Sequence, residues 1–221
     1  MRATTPIPAE PRLVTRDGEL WVLDKPSGVA VHRTDAAEAT DLMAWAREAL
    51  GAPPALAPVH RLDLETSGLV LCSADAALRG MLGRWFQGGE VHKEYRALVL
   101  GRAHRKGVID RPLKDPRRKA ALPARTRYRC LERLGGFSYL SVTPETGRRH
   151  QIRRHLHGLG HPLVGDRRYR PRRFRPVPGF PGRLWLHAAG ITLPDGRTFS
   201  AELAAELEAN LTLLREGQSS P

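Results

Sequence analysis

The chain has 221 residues, with 36 Lys and Arg against 23 Asp and Glu, for a formal net charge of +13. That length suffices for one large domain burying roughly 70–75% of the unfolded chain's surface, and the charge fits a polyanionic partner. No apolar run approaches the ~18 residues of a membrane span, and the N-terminus lacks a hydrophobic signal core, so a cytoplasmic protein with no membrane association is expected. Cys72 and Cys130 sit in apolar, strand-like contexts and read as buried free thiols. Lys occurs only at positions 25, 93, 106, 114 and 119. Arginine enrichment alone would also follow from a GC-rich genome. The run Arg167-Arg168-Tyr169-Arg170-Pro171-Arg172-Arg173-Phe174-Arg175 is too concentrated for that, and its aromatics can stack on bases.

Residues 1–12 are Pro-rich and aperiodic and read as a mobile tail, ahead of one domain over 13–215 and a short tail over 216–221. Leu20-Trp21-Val22-Leu23 and Val29-Ala30-Val31 read as short strands around a Pro26-Ser27-Gly28 turn. Thr40 or Asp41 caps a helix to about Leu50, which Gly51 and Pro53-Pro54 stop. Leu69 to Cys72 reads as a buried strand that follows turn chemistry at Thr66-Ser67-Gly68. Asp75 caps a second helix with Leu78, Leu82 and Trp85 on one face. His92 to Leu100, Arg127 to Leu131 and Phe137 to Thr143 alternate as strands, whereas 102–125 reads as an exposed loop or insertion. Leu184 to Leu193 is another strand, closed by a Pro194-Asp195-Gly196 turn. The last helix, near 200–214, buries Leu203, Leu207, Leu211 and Leu214. Strands outnumber helices and join through turns, which gives an α+β class with a mixed, mainly antiparallel sheet flanked by helices and loops.

Thr146 is the expected N-cap of a helix starting at Gly147 or Arg148. At 100° per residue Ile152, Leu156 and Leu159 lie within about 60° of one another, and His150, Arg153, Arg154 and His157 share the opposite side. One face packs and the other presents cations, while Arg148 and Arg149 at the N-terminus make a phosphate seat. A metal at His150, His157 and His161 is not expected, because Gly158, Gly160 and Pro162 end the helix and Arg153 and Arg154 repel a cation.

The most informative stretch is His60-Arg61-Leu62-Asp63-Leu64-Glu65-Thr66-Ser67-Gly68-Leu69, which sets an acid on a polar loop between two apolar runs. By spacing alone Asp63 either caps the turn or serves as a working carboxylate. The stretch is similar to the His-Arg-Leu-Asp-x-x-Thr-Ser-Gly signature of the RluA-type pseudouridine synthases. Four further segments agree in order: Asp24-Lys25-Pro26-Ser27-Gly28 with Val31-His32-Arg33, Lys93-Glu94-Tyr95-Arg96-Ala97, Thr146-Gly147-Arg148-Arg149-His150-Gln151-Ile152-Arg153-Arg154-His155-Leu156 running to Gly165-Asp166, and Leu186-His187-Ala188. Within that family the chain looks most like the TruC branch, which modifies transfer RNA.

The resemblance implies a pseudouridine synthase fold, RNA as substrate and Asp63 as the catalytic residue. Transfer RNA is the first expectation, and ribosomal RNA, or both, the second. No cofactor or metal is expected, because the isomerisation gains no electrons or groups. Three routes fit a single carboxylate: attack on the sugar, addition to the uracil ring, or removal of a sugar proton to give a glycal. The resemblance also sets Arg153 against Asp63, where a guanidinium favours the ionised acid. Arg61 then fills the space left by a flipped nucleotide, Tyr95 stacks on the uracil, and Ile152 and Leu186 wall the base. Arg148, Arg149, His150 and Arg154 are expected on phosphates. Lys25 touches phosphate or packs, and the sequence does not choose. Many relatives carry an S4-type RNA-binding module ahead of this domain. Too little chain precedes it here for one, so the domain is expected to dock RNA itself, as a monomer. Two other classes share parts of the pattern: a non-catalytic RNA-binding protein, and a glycosidase pairing Asp63 with Glu65.

Overall fold

The computed structural model describes residues 10–32, 41–115, 120–170 and 176–217. Its frame is a ten-stranded sheet. The main path runs β1 (Arg12–Asp17), β2 (Leu20–Lys25), β4 (Ser67–Ser73), β11 (Leu186–Thr192), β5 (His92–Leu100), β10 (Phe137–Pro144), β9 (Arg125–Leu134) and β6 (Lys106–Asp110). β3 (Ala57–Pro58) adds to β4 and β12 (Thr198–Ser200) to β11, while β7 (Leu113–Lys114) and β8 (Ala121–Leu122) form a separate small ribbon. Every pairing in the large sheet is antiparallel except β4 with β11, so the mixed α+β architecture expected from the strand pattern is present.

Side-chain alternation builds a core on each face. In β2, Trp21 and Leu23 join Leu42, Met43 and Ala46 of helix α1 (Leu42–Leu50), whereas Leu20 and Val22 join Leu82 of helix α2 (Ala76–Gly88). In β5, Ala97 and Val99 meet Ile152 and Leu156 of helix α3 (Gln151–Gly158), and Leu98 meets Leu207 and Leu211 of helix α4 (Ala205–Glu216). Tyr95 packs against both the α1 core and the α3 core. It therefore marks the seam between them on one side of the sheet. None of these helices is long and apolar enough to cross a membrane.

Local chemistry explains the helix ends. The Asp41 carboxylate accepts from the Ala44 N–H at 2.7 Å, and Gly51 closes α1 in the left-handed region at φ 62°. Asp75 caps α2 through the Ala77 and Leu78 N–H groups. Each such cap is worth about 1 kcal/mol.

Several expectations need correction. Val29–Val31 is not a strand; the Val29 carbonyl is instead bonded by the Lys25 ammonium. The 102–125 segment is not all loop, because β6 adds to the sheet edge through β9. Strand β1 begins at Arg12, within the stretch expected as a tail, and α4 runs to Glu216. Thr146 does not cap α3. Its hydroxyl donates to Gln151 Oε1 and accepts from the Arg125 N–H, and the helix starts at Gln151 behind His150. The Thr66-Ser67-Gly68 turn is displaced too: the turn lies at Leu64–Glu65, and Ser67 and Gly68 already belong to β4. Residues 1–9, Arg33, Thr40, 116–119, the 171–175 part of the arginine run and 218–221 lie outside the described residues.

Candidate active site

The 60–66 loop is held at almost every residue. His60 stacks on Phe86 at 4.4 Å, and its Nε2 accepts from the Leu71 N–H. Enclosure lowers the imidazole pKa to about 3, with Lys93 adding to the effect, so the ring is neutral and acts as an acceptor. Leu62 anchors the loop in the α1 core. The Leu64 carbonyl accepts from the Gly28 N–H and the Lys25 ammonium, the Glu65 carbonyl from the Ser27 hydroxyl, and the Asp63 carbonyl from the Thr66 N–H. Lys25 is fully buried and spreads its three N–H donors over the carbonyls of Pro26, Val29 and Leu64, at 2.8 to 3.2 Å. Burial, with Arg183 nearby, lowers its pKa to about 7 against the pull of Asp63 and Asp24. Lys25 is thus a clamp joining the 25–29 and 60–66 loops, and it does not reach solvent.

At the end of this stiff loop the Asp63 carboxylate is 30% exposed. Arg153 Nη1 stands 3.7 Å from its Oδ2, and His150 Nε2 stands 3.7 Å from its Oδ1. Neither distance is a hydrogen bond. Arg153 is held mainly elsewhere. Its Nε and Nη2 donate to the two oxygens of Asp166 at 2.8 Å, and Nη2 also donates to Glu65 at 3.0 Å. Burial opposes the guanidinium charge, but Asp166, Glu65 and Asp63 together outweigh it and raise the Arg153 pKa. Asp166 also accepts from the Arg168 and Tyr169 N–H groups, and with Arg153 these outweigh burial to lower its own pKa. Tyr169 lies under the Arg153 guanidinium and bonds His150 Nδ1 at 3.0 Å through its hydroxyl. On the other side, burial and the Asp63 charge raise the Tyr95 pKa, which keeps the phenol protonated.

The expected residues fall into three groups. Asp63, Tyr95, Arg153, Ile152 and Leu186 converge: Ile152 and Leu186 are buried in the α3 core against which Tyr95 packs. Arg61 is exposed two residues before the acid, beside the exposed Leu64 on the same loop. Arg149 is exposed and Arg154 half-buried, while Arg148 spends its Nε on the Pro123 carbonyl. Two placements are corrected. Arg153 is not on a solvent-facing cationic surface but is 3% exposed, because three carboxylates from remote segments draw it inward. His150 does not face outward to phosphate; its side chain is 12% exposed and turned to Asp63 and Tyr169.

Sequence reasoning missed Glu65 and Asp166 as ligands of Arg153, Tyr169 as part of the site, and Lys25 as the clamp. The available signal was modest. Asp166 and Tyr169 are three apart, the spacing at which a carboxylate caps its following N–H groups.

This arrangement offers a part-exposed carboxylate on a rigid loop, flanked by a cation and an imidazole and backed by an aromatic and apolar wall. Residues 19–158 match the family described as RNA pseudouridylate synthase. A Haemophilus ducreyi protein named tRNA pseudouridine synthase C is 35% identical over 80% of this chain and 82% of its own. A Vibrio cholerae protein named ribosomal large subunit pseudouridine synthase C is 36% identical over 92% of this chain and 69% of its own. An uncharacterized RNA pseudouridine synthase of Chloroflexus aurantiacus is 42% identical over 73% of this chain, which spans only 54% of that relative's length. Among solved structures, human RNA Pseudouridylate Synthase Domain Containing 4 superposes with a TM-score of 0.79 at 24% identity, covering 92% of both chains, and so shares the fold. The chain belongs to the RNA pseudouridylate synthase family.

Proposed function

We propose that this protein converts uridine to pseudouridine in structured RNA, with Asp63 as the catalytic carboxylate. The observation that carries the reading is Asp63 itself: it stands part-exposed at the tip of a loop fixed at four backbone positions, beside Arg153 and Tyr95. The isomerisation breaks C1′–N1, forms C1′–C5, releases the C5 proton and protonates N1. Nothing is oxidised or reduced. A carboxylate that attacks or deprotonates, then restores itself, closes the cycle. The uridine must leave its stack at a cost of a few kcal/mol. Exposed Arg61 offers a planar cation for the vacated space. Tyr95 receives the everted base against Ile152 and Leu186. Arg148, Arg149 and Arg154 supply cations to the RNA backbone, an electrostatic contribution that weakens with salt.

Transfer RNA is the substrate we favour, because the Haemophilus ducreyi relative named for that RNA is matched over 82% of its own length, against 69% for the Vibrio cholerae relative. A glycosidase pair of Asp63 and Glu65 is disfavoured, since Arg153 already holds the Glu65 carboxylate. The test is Asp63→Asn, assayed by release of tritium from C5-labelled uridine in transcribed RNA. Pseudouridine formation should vanish while RNA affinity stays close to that of the parent. Full activity in this variant would remove Asp63 from the chemistry. Mapping pseudouridine in total RNA from a deletion strain against its parent assigns the RNA, and loss confined to ribosomal RNA would overturn the transfer RNA preference.

A further inference from the structure

His150 is the one non-glycine with positive φ among the described residues, at φ 53° and ψ 30°. A side-chain-bearing residue is strained in this left-handed region, and such strain persists where the surroundings over-determine it, most often at functional sites. It also falls at the join between the basic loop and α3. Here the strained backbone turns the imidazole inward, with Nδ1 at 3.0 Å from the Tyr169 hydroxyl and Nε2 at 3.7 Å from Asp63 Oδ1. The charged and titratable groups around the ring are Asp63, Arg153, Arg149, Arg168 and Tyr169, with His157 against the Tyr169 ring. Burial and the arginines lower the His150 pKa against the pull of Asp63, so the ring is neutral at physiological pH.

We propose that His150 is a positioning residue for Asp63, with its tautomer set by Tyr169. This rests on the reading of Asp63 as the catalytic carboxylate. In a neutral ring only one nitrogen carries a proton. The Tyr169 O–H donates to Nδ1, which leaves the proton on Nε2, the nitrogen aimed at Asp63. Arg153 addresses Oδ2 and His150 addresses Oδ1, so the carboxylate is bracketed from both sides. At 3.7 Å each contact is open in the free protein, and each shortens to a hydrogen bond when RNA closes over the loop, as active-site contacts commonly do. Asp166 ties the bracket together: it bonds Arg153 directly and fixes Tyr169 through its backbone N–H.

The left-handed backbone supplies a variant that separates function from folding. Glycine accepts φ 53° without strain, so His150→Gly removes the imidazole and leaves the turn at ease. Its single-turnover rate should fall about 100-fold, the scale expected when a reacting group loses its alignment. RNA affinity and its salt dependence should stay near those of the parent. His150→Gln, which can return an N–H to the Nε2 position, should regain most of the rate. Tyr169→Phe should slow the reaction too, and adding it to His150→Gly should cost nothing further, because both act through one contact. A parental rate in His150→Gly overturns the proposal. So does a loss confined to affinity with a salt slope smaller by about one, which would make His150 a phosphate contact. An active Asp63→Asn would instead overturn the underlying reading of the acid.

Discussion

Asp166→Asn tests the claim that Arg153 is organised from behind and not by Asp63. The wild-type carboxylate accepts four hydrogen bonds: Arg153 Nε on Oδ2, and Arg153 Nη2, Arg168 N–H and Tyr169 N–H on Oδ1, all between 2.8 and 2.9 Å. An asparagine keeping its oxygen at Oδ1 retains three of them but turns an NH2 toward the Arg153 Nε–H, donor against donor. It also removes one of three negative charges from a guanidinium whose side chain is 4% exposed, opposite an Asp166 side chain that is fully buried. Breaking one side of such a buried pair costs about 3–5 kcal/mol. For a chain of this size each kcal/mol moves Tm by about 2–4 °C, so the expected drop is roughly 6–20 °C. Calorimetric unfolding reads it directly. Activity should also fall at temperatures where the variant is still folded, because Arg153 then loses the Nε bond that fixes the plane of its guanidinium. A Tm within about 3 °C of the parent, with turnover intact, would refute the argument that Asp166 holds the guanidinium.

Three further outcomes follow. A Cβ at Gly68 would stand 2.2 Å from the Ala188 carbonyl oxygen, on a backbone with φ 110°. Gly68→Ala should therefore destabilise the protein by more than about 4 kcal/mol, or prevent soluble expression; a Tm near that of the parent would show that the two strands part cheaply. Replacing Arg148 and Arg149 together by Ala should weaken RNA binding and reduce the slope of log affinity against log salt by about one to two. An unchanged slope puts the phosphates elsewhere. His60 has a folded pKa of about 3, below its ordinary value near 6.5. As pH falls the unfolded chain takes up the proton first, so this contribution to stability is complete above pH 6.5 and is lost progressively down to pH 3. Between pH 7 and 5 the parent should lose about 2 kcal/mol more than His60→Asn in urea unfolding, and equal losses would mean that the ring is protonated in the folded state.

What the sequence reveals here is what local chemistry determines. Asp41 and Asp75 cap helices with N–H groups two or three residues away, and β5 ends on an apolar run from Ala97 to Leu100, so these elements are legible. β1 is not, because all six of its residues are exposed and it presents no buried face to give a period. β6 alternates only between exposed and half-buried, which is too faint a signal to separate from loop. The acid loop is legible through its ordered motif and its resemblance to a family. The inward turn of Arg153 is not, because helical periodicity places it with Arg154 and His157, and its ligands come from Glu65 and Asp166. A charge pattern along one helix reports which residues share a side; it carries no record of a carboxylate that arrives from 88 residues away.

The order in which the strands are made has its own consequence. Ala188 of β11 pairs with Gly68 on one side and with Tyr95 on the other, so the acid loop and that tyrosine are brought into register by a strand encoded near the end of the chain. On a ribosome, β5 emerges on the order of ten seconds before β11 does. Throughout that interval β4 and β5 have no hydrogen-bonded neighbour between them, and once the arginine helix has emerged as well, the nascent chain can adhere to RNA without housing a nucleotide. A message cut short before codon 186 would yield such a product, a cationic chain without an assembled site.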